Sequence, residues 1–195
     1  MGWFKLEHSR FVYRLDFAAY GAAVVGLAIW LALSAAPGSR AALGGCVVVG
    51  WLAWTLVEYL LHRFVLHGLP PFSRWHGEHH RRPLALIATP TVWSAGWLLG
   101  GVYLPLLWVS DRWYAAALTL GVLAGYLAYG VVHHAIHLGT GRSAWLQRRR
   151  RWHQLHHHSR AGGCYGVSGG WWDAIFATSP SARARDARAK TLSDV

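Results

Sequence analysis

This 195-residue chain contains only two cysteines and eight carboxylates. Cys46 and Cys164 lie far apart and have no C-x-x-C spacing, which excludes a disulfide framework. Charged residues make up only 14% of the chain, and they gather in short stretches between long uncharged runs. Because apolar residues reach 54%, this distribution is typical of an integral membrane protein.

Four of the apolar runs are long enough to cross the hydrocarbon core of a bilayer, which is ~30 Å thick. We predict membrane spans at about residues 17–36, 41–61, 88–109 and 113–133. A signal peptide is the competing interpretation of the first run, but its apolar region would be shorter, about 7–15 residues. The sequence therefore predicts an all-α protein with one membrane-embedded domain over residues 1–195. We expect the tail from about residue 181 to be disordered.

The distribution of basic residues predicts the orientation in the membrane. Four spans place both termini on one side, and the loops on the other side carry only Arg40 and Arg112 of the nineteen Lys and Arg. The positive-inside rule then places the termini in the cytoplasm, at a bacterial inner membrane or, in a eukaryote, at the ER membrane. Because this orientation accounts for the net charge of +11, we predict no nucleic acid as a partner. The run Arg148–Arg151 is predicted to bind anionic headgroups or to complete this positive belt.

Ten of the thirteen histidines fall into four groups with short internal spacings. The groups are His62 and His67; His76, His79 and His80; His133 and His137; and His153, His156 and His157. Histidine is the commonest metal ligand because its neutral imidazole offers a directed lone pair. So many imidazoles indicate two transition-metal ions with about five ligands each. All four groups fall on the predicted cytosolic side, where helices outside the membrane would form a cap over the spans.

The spacings predict which histidines can converge. His133 and His137 are one helical turn apart, and the three members of each H-x2-H-H group also share a helix face. His62 and His67 are about 140° apart on an ideal helix, so we expect the helix to end or distort near His67. Glu58 lies one turn before His62 and is predicted either to orient a ligand imidazole through its free ring nitrogen or to be a snorkelling or helix-pairing residue. His8, His134 and His158 fall outside these spacings and are predicted not to be ligands.

Motifs spread from about Ala53 to Thr178 carry a family resemblance. They read E58-Y-x2-H62-R-x3-H67, P70-P71, H76-G-x-H79-H80-x2-P83, G125-Y-x2-Y-x3-H133-x3-H137, H153-x2-H156-H157 and Y165-G-V-S-x3-W172-D173-x2-F176-x-T178. In this order and combination, the chain resembles the fatty acid hydroxylase/sterol desaturase superfamily of integral-membrane di-metal enzymes. It is most similar to the fatty acid 2-hydroxylase-type branch.

The resemblance implies that the ten grouped histidines are metal ligands and that Glu58 and Asp173 act near the site. It also implies two iron ions, O2 as co-substrate, and hydroxylation of a C–H bond in a fatty acid or fatty-acyl lipid taken from the bilayer. Zinc can replace iron in a purified sample, since such sites bind zinc more tightly than iron(II). We expect no fused cytochrome b5-like domain, so the electrons are predicted to come from a separate cytochrome b5-like or ferredoxin-like protein.

Two kinds of alternative remain open. Within the superfamily, the substrate could be a carotenoid, a sterol or a hopanoid, although the motif from Tyr165 to Thr178 favours the fatty acid branch. In a different class, the chain could be a metal transporter or a metal-dependent membrane hydrolase. A transporter usually places its ligands near the middle of its spans. A hydrolase needs a carboxylate general base, for which Glu58, Glu78 and Asp173 are candidates.

Overall fold

The structure is a computed structural model, and it describes residues 7–159 and 162–181. The described residues are mainly helical, and no strand among them exceeds a single bridge between Glu7 and Ile87. The predicted disordered tail lies outside the described residues, apart from Ser181.

Four helical stretches are long and apolar enough to cross a membrane, which confirms the predicted all-α architecture with four such helices. They cover Arg10–Ser34, Pro37–Leu66, Thr91–Val109 and Arg112–His137. The first stretch begins well before residue 17 because Ser9 caps it, its hydroxyl accepting the backbone N–H of Val12 at 3.3 Å. The last begins at Arg112 because the Asp111 carboxylate accepts the N–H of Trp113 at 2.7 Å.

Within residues 7–159 and 162–181, eight α-helices make up these stretches and the segments between and after them. They are α1 (Arg10–Ser34), α2 (Arg40–Leu60), α3 (Phe72–Arg81), α4 (Thr91–Trp97), α5 (Leu104–Val109), α6 (Arg112–His137), α7 (Ala144–His158) and α8 (Trp171–Ile175). A 3₁₀ turn at Pro37–Ser39 precedes α2, and π-helical turns follow α2 at Leu61–Leu66 and α4 at Leu98–Tyr103.

Two prolines shape the third stretch. Pro90 stands at the N-cap of α4, and Pro105 lies in the first turn of α5 directly after the π-helical turn Leu98–Tyr103. Proline has no N–H to donate and its ring clashes with the carbonyl four residues before it. A π-helical turn at this point removes that conflict, so the helical stretch continues past Pro105 to Val109.

The chain divides into two compact units. The first takes the described residues of Met1–Trp54 together with Ala85–Ala128, and the second takes Thr55–Leu84 together with the described residues of Tyr129–Val195. In the first unit, α2 and α6 approach closely at two glycines. A Cβ added to Gly50 would lie 2.2 Å from the carbonyl oxygen of Leu118, and one added to Gly121 would lie 2.1 Å from that of Val47.

We expect Gly50→Val to destabilise the protein by at least about 1–3 kcal/mol, the usual cost of overpacking, because the new side chain meets backbone that cannot move aside. Gly44→Val is the matched control, since it makes the same change in the same helix where a Cβ meets nothing within 4 Å. Thermal unfolding of both variants in detergent measures the difference. Equal melting temperatures would contradict the close approach of these helices.

The second unit contains every histidine of the four groups. It consists of the end of α2 with its π-helical turn, α3, the end of α6, α7, α8 and the loop between α7 and α8. Ile136, Leu146 and Val167 form a small buried apolar cluster in this unit. The polar contacts described next hold its histidines and the loop between α7 and α8.

Candidate metal centre

The second unit gathers nine of the ten predicted ligands into two groups. In each group, one potential ligand atom per residue lies within 4.8 Å of every other. The first group contains His62, His67, His76, His80 and His156. The second group contains His79, His133, His137 and His153. The tenth histidine, His157, adjoins the second group, with its Nε2 3.0 Å from the Nε2 of His153.

Each H-x2-H-H triplet is divided between the two groups. On α3, His76 and His80 belong to the first group and His79 to the second. On α7 the division is reversed, with His156 in the first group and His153 in the second. Adjacent helical residues point about 100° apart, so one triplet can serve two centres. The members of each triplet span about 100° of one helix face, and this spread is enough to reach both groups.

The π-helical turn at Leu61–Leu66 resolves the mismatch between His62 and His67. It ends at Leu66, with His67 as its C-cap, and the distortion predicted near His67 is confirmed. A π-turn closes with i→i+5 hydrogen bonds, so residues five apart come closer to sharing a face than they do in an α-helix. The two rings lie 5.3 Å apart between centroids, and both belong to the first group.

The packing of the ring nitrogens cannot be explained by hydrogen bonds between the imidazoles. In the first group, the Nε2 atoms form a chain of short contacts in the order His62, His76, His80, His156 and His67, at 3.0, 3.0, 3.2 and 3.0 Å. A neutral Nε2 carries either one proton or one lone pair. The three middle atoms each have two close neighbours and can satisfy only one. A shared cation at the centre of each group satisfies all of them.

The same distances bear on the kind of metal site. Two nitrogens bound at about 2.1 Å and at right angles lie about 3.0 Å apart, whereas tetrahedral angles separate them by about 3.4 Å. The short contacts in the first group are 3.0–3.2 Å, and those in the second group are 2.8 and 3.0 Å. The spacing therefore fits five or six ligands per ion better than four. An all-imidazole donor set suits iron, copper, nickel or zinc.

Burial keeps the imidazoles neutral. Burial, together with the smaller effect of neighbouring imidazoles, lowers the pKa of His79 and of His156 to about 3. Burial and the same kind of neighbours lower the pKa of His157 to about 2 and that of His80 to about 4. A metal binds the neutral form, whose lone pair is free. His79 also has both of its ring nitrogens buried without a hydrogen-bond partner in the described residues, as expected for a ligand.

The loop between α7 and α8 fixes the orientation of two imidazoles in the first group. The Nδ1–H of His62 donates to the carbonyl oxygen of Tyr165 at 2.5 Å. The Nδ1–H of His156 donates to the carbonyl oxygen of Gly163 at 2.9 Å. With Nδ1 protonated, the lone pair of each ring is on Nε2 and points into the group. Gly163 has φ 97°, a conformation that glycine adopts without strain.

Glu58 holds this loop from α2. Its Oε1 accepts the backbone N–H groups of Val167 at 2.7 Å and Ser168 at 2.9 Å, and its Oε2 accepts the Ser168 hydroxyl. The sequence predicted that Glu58 would bond directly to a ligand imidazole or pair helices. Among the described residues it instead binds the loop backbone, so it acts on the histidines through the Tyr165 carbonyl.

Asp173 holds the other side of the loop from α8. Its carboxylate accepts the backbone N–H groups of Tyr165 and Gly166, both at 2.8 Å, and the Thr178 hydroxyl at 2.7 Å. Burial raises the pKa of Asp173 above its ordinary value, and these three hydrogen bonds offset only part of that rise. Gly166 permits this approach, since a Cβ there would lie 2.9 Å from Oδ2 of Asp173 and 2.1 Å from the Gly169 carbonyl oxygen.

Several supporting residues belong to the motifs but were given no role by the sequence. Tyr59 is fully buried, and its hydroxyl lies 3.1 Å from that of Thr178 and accepts from Arg63 at 2.8 Å. The signal that could have found them is their position, since Tyr59 and Arg63 flank His62.

The basic run Arg148–Arg151 was predicted to face the membrane surface, and for its two inner members this prediction was wrong. Arg149 is buried, and Arg150 donates to backbone carbonyls. Arg148 and Arg151 are exposed.

The three histidines predicted not to be ligands take no place in either group. His134 is exposed on α6, and His158 is exposed at the end of α7. His8 lies in the first unit. The candidate centre thus uses the spaced histidines and leaves the others out.

These features define an all-α protein with four helices able to span a membrane and two groups of histidines that could each hold a metal ion. The profile of the fatty acid hydroxylase family matches residues 47–178. The chain therefore belongs to the fatty acid hydroxylase family, and the resemblance drawn from the motifs is confirmed.

Curated relatives agree with this assignment. The chain is 32% identical over 153 residues to dihydroceramide fatty acyl 2-hydroxylase FAH2 of Arabidopsis thaliana, covering 73% of this chain and 63% of the relative. It is 32% identical over 146 residues to fatty acid 2-hydroxylase of Rattus norvegicus, covering 69% and 39%. The chain thus spans less than two thirds of these two relatives. A solved structure of full-length Scs7p, in which only the hydroxylase domain is visible, shares the fold with a TM-score of 0.72 and 23% identity, covering 89% of this chain and 67% of that one.

We expect the metal-free protein to lose stability as the pH falls below about 6.5, the ordinary pKa of histidine. The folded state keeps its imidazoles neutral because their pKa values are lowered, whereas the unfolded chain binds protons, so acid favours unfolding. Each proton bound only by the unfolded chain lowers the free energy of unfolding by about 1.4 kcal/mol for each unit of pH decrease. Thermal unfolding of metal-free protein between about pH 7.5 and about pH 5.5 measures this slope. His79→Gln should flatten it, and His158→Gln, at an exposed position, should not.

Asp173→Asn is expected to lower the metal affinity of the first group by about 10–100-fold, the usual effect of losing a group that orients a ligand. Its amide nitrogen would face a backbone N–H, leaving two donors opposed. Glu58→Gln should bind metal almost normally, since Oε1 still accepts both N–H groups and the Ser168 hydroxyl can turn to accept from the amide. Metal titration against a chelator compares the variants. Equal affinities for Asp173→Asn and the wild type would contradict the role of the loop.

Proposed function

We propose that the chain is an O2-dependent hydroxylase that inserts one oxygen atom into a C–H bond of a fatty acid or fatty-acyl lipid, using two iron ions held by the ten histidines. The observation that carries the proposal is the convergence of imidazole Nε2 atoms into two adjacent groups at separations of about 3 Å, which fits two metal ions and no pattern of hydrogen bonds. The names of the relatives supply the substrate class, since they are fatty acid and dihydroceramide fatty acyl 2-hydroxylases.

The overall reaction consumes one O2, two electrons and two protons for each C–H bond converted to C–OH, and it releases one water. Iron bound at the two groups would supply the redox chemistry with O2. The residues of the chain hold the site in place: His62 and His156 keep their lone pairs on Nε2, and Glu58 and Asp173 fix the loop that imposes this tautomer. Electrons come from a separate donor protein, and we place the site at the cytosolic face of the membrane.

A hydrolase is disfavoured by the state of the carboxylates. Such an enzyme needs a carboxylate that can take a proton from a metal-bound water. Glu58 and Asp173 each accept three hydrogen bonds that hold the loop. Glu78, the third candidate, pairs with Arg81 near the end of α3. All three are therefore engaged elsewhere.

Expression in a host with a supplied electron donor, followed by lipid mass profiling, tests the proposal. The wild-type chain should produce lipids heavier by one oxygen atom, and the purified protein should contain about two metal ions per chain. The number of metal ions per chain is the readout, and their identity is not, because zinc binds such sites more tightly than iron(II).

His156→Ala should lose a metal ion and the oxygenated lipid, because this residue contacts the nitrogens of both His67 and His80. His134→Ala is the matched control, at an exposed position on α6 beside a predicted ligand, and should behave as the wild type. An unchanged lipid profile from a metal-loaded wild type would overturn the hydroxylase assignment. Absence of bound metal would overturn the metal centre.

A further inference from the structure

Arg150 makes a set of contacts that neither the charge run nor the motifs explain. Its guanidinium donates to the carbonyl oxygens of Ile136 at 3.1 Å, Ala135 at 3.0 Å and Gly139 at 2.9 Å, with a longer contact to Gly141 at 3.4 Å. All of these acceptors lie in the last turn of α6 or directly after it. Arg150 therefore binds the C-terminal end of α6 from α7.

The physical basis of this contact is the end of a helix. The last four carbonyls of a helix have no partner within it and carry the negative end of its dipole. A planar guanidinium offers five donors in a fixed fork, so it can bind several such oxygens at once in one geometry. These directed hydrogen bonds fix the relative position of α6 and α7 more closely than the apolar contact between Ile136 and Leu146 does, because apolar contacts have no preferred direction.

The contact lies beside members of the second group along both helices. Ala135 and Ile136 stand between His133 and His137 on α6. On α7, Arg150 precedes His153 by three residues and His157 by seven, so the three side chains share a helix face. The nitrogens of His137 and His153 meet across the two helices at 2.8 Å. A shift of α6 along α7 would separate them.

The second group also lacks the support that the first group has. In the first group, loop carbonyls orient His62 and His156 through their Nδ1 atoms. In the second group, the Nδ1 atoms of His79 and His153 are buried without a hydrogen-bond partner in the described residues. The orientation of these rings then depends on how the helices are placed. We propose that Arg150 is the positioning residue of the second metal group, setting the register of α6 against α7 so that His133 and His137 meet His153. This role rests on the proposed metal centre.

Zn²⁺ titration of the full chain in detergent, with the reactivity of each histidine toward diethyl pyrocarbonate read by mass spectrometry, tests the proposal. Arg150→Gln should weaken Zn²⁺ binding at the second group by about tenfold, the lower end of the effect of residues that orient ligands. At limiting Zn²⁺, reactivity should rise only at the second group (His79, His133, His137 and His153) and at the adjoining His157. Arg150→Lys should restore part of the affinity, since lysine keeps the charge but not the fork. Arg151→Gln is the matched control at an exposed neighbouring position and should match the wild type.

Each other outcome has a distinct meaning. If all ten histidines gain reactivity together in Arg150→Gln, the residue supports the fold in general and the positioning role is wrong. If Arg150→Gln binds two Zn²⁺ ions as tightly as the wild type, the role is likewise wrong, while the metal centre stands. A wild-type chain that binds no Zn²⁺ overturns the metal centre itself.

Discussion

The close packing of neutral imidazole nitrogens is the constraint on which the rest of the second unit depends. Nε2 atoms about 3 Å apart must all present lone pairs to a common point, so each ring must carry its proton on Nδ1. For His62 and His156, the acceptor of that proton is a backbone carbonyl of the loop between α7 and α8. The loop needs fixing in turn, and two carboxylates bind its N–H groups. Glu58 and Asp173 thus support the histidines indirectly, through the loop that they bind.

The division of each triplet explains why two helices are enough to connect two centres. α3 gives two histidines to the first group and one to the second, and α7 contributes to both as well. Each helix therefore links the two groups rigidly, and their separation is fixed by the 100° step between adjacent helical residues. A pair such as His133 and His137, spaced by one turn, can serve only one group.

Much of this could be predicted from the sequence, because hydrophobic runs and histidine spacings are local signals. The four long helices, the ten grouped histidines and the distortion near His67 followed from run length and helical periodicity. What could not be predicted depends on contacts distant in sequence. Glu58 meets Val167 and Ser168 more than a hundred residues away, and no spacing reveals that its partner is backbone. The arginine run showed the same limit, since charge alone gives no sign that Arg149 is buried.

The two histidine groups are therefore held by different means. The first is oriented by hydrogen bonds from individual rings to a loop that two carboxylates secure. The second has fewer such bonds, and its rings are placed mainly by the helices that carry them. Loop contacts adjust ring by ring, whereas helix register moves several ligands together. A disturbance of the loop should therefore act on single ligands, while a disturbance between α6 and α7 acts on a whole centre. This difference makes Arg150, which binds one helix end to the other helix, more consequential than its place in a basic run suggests.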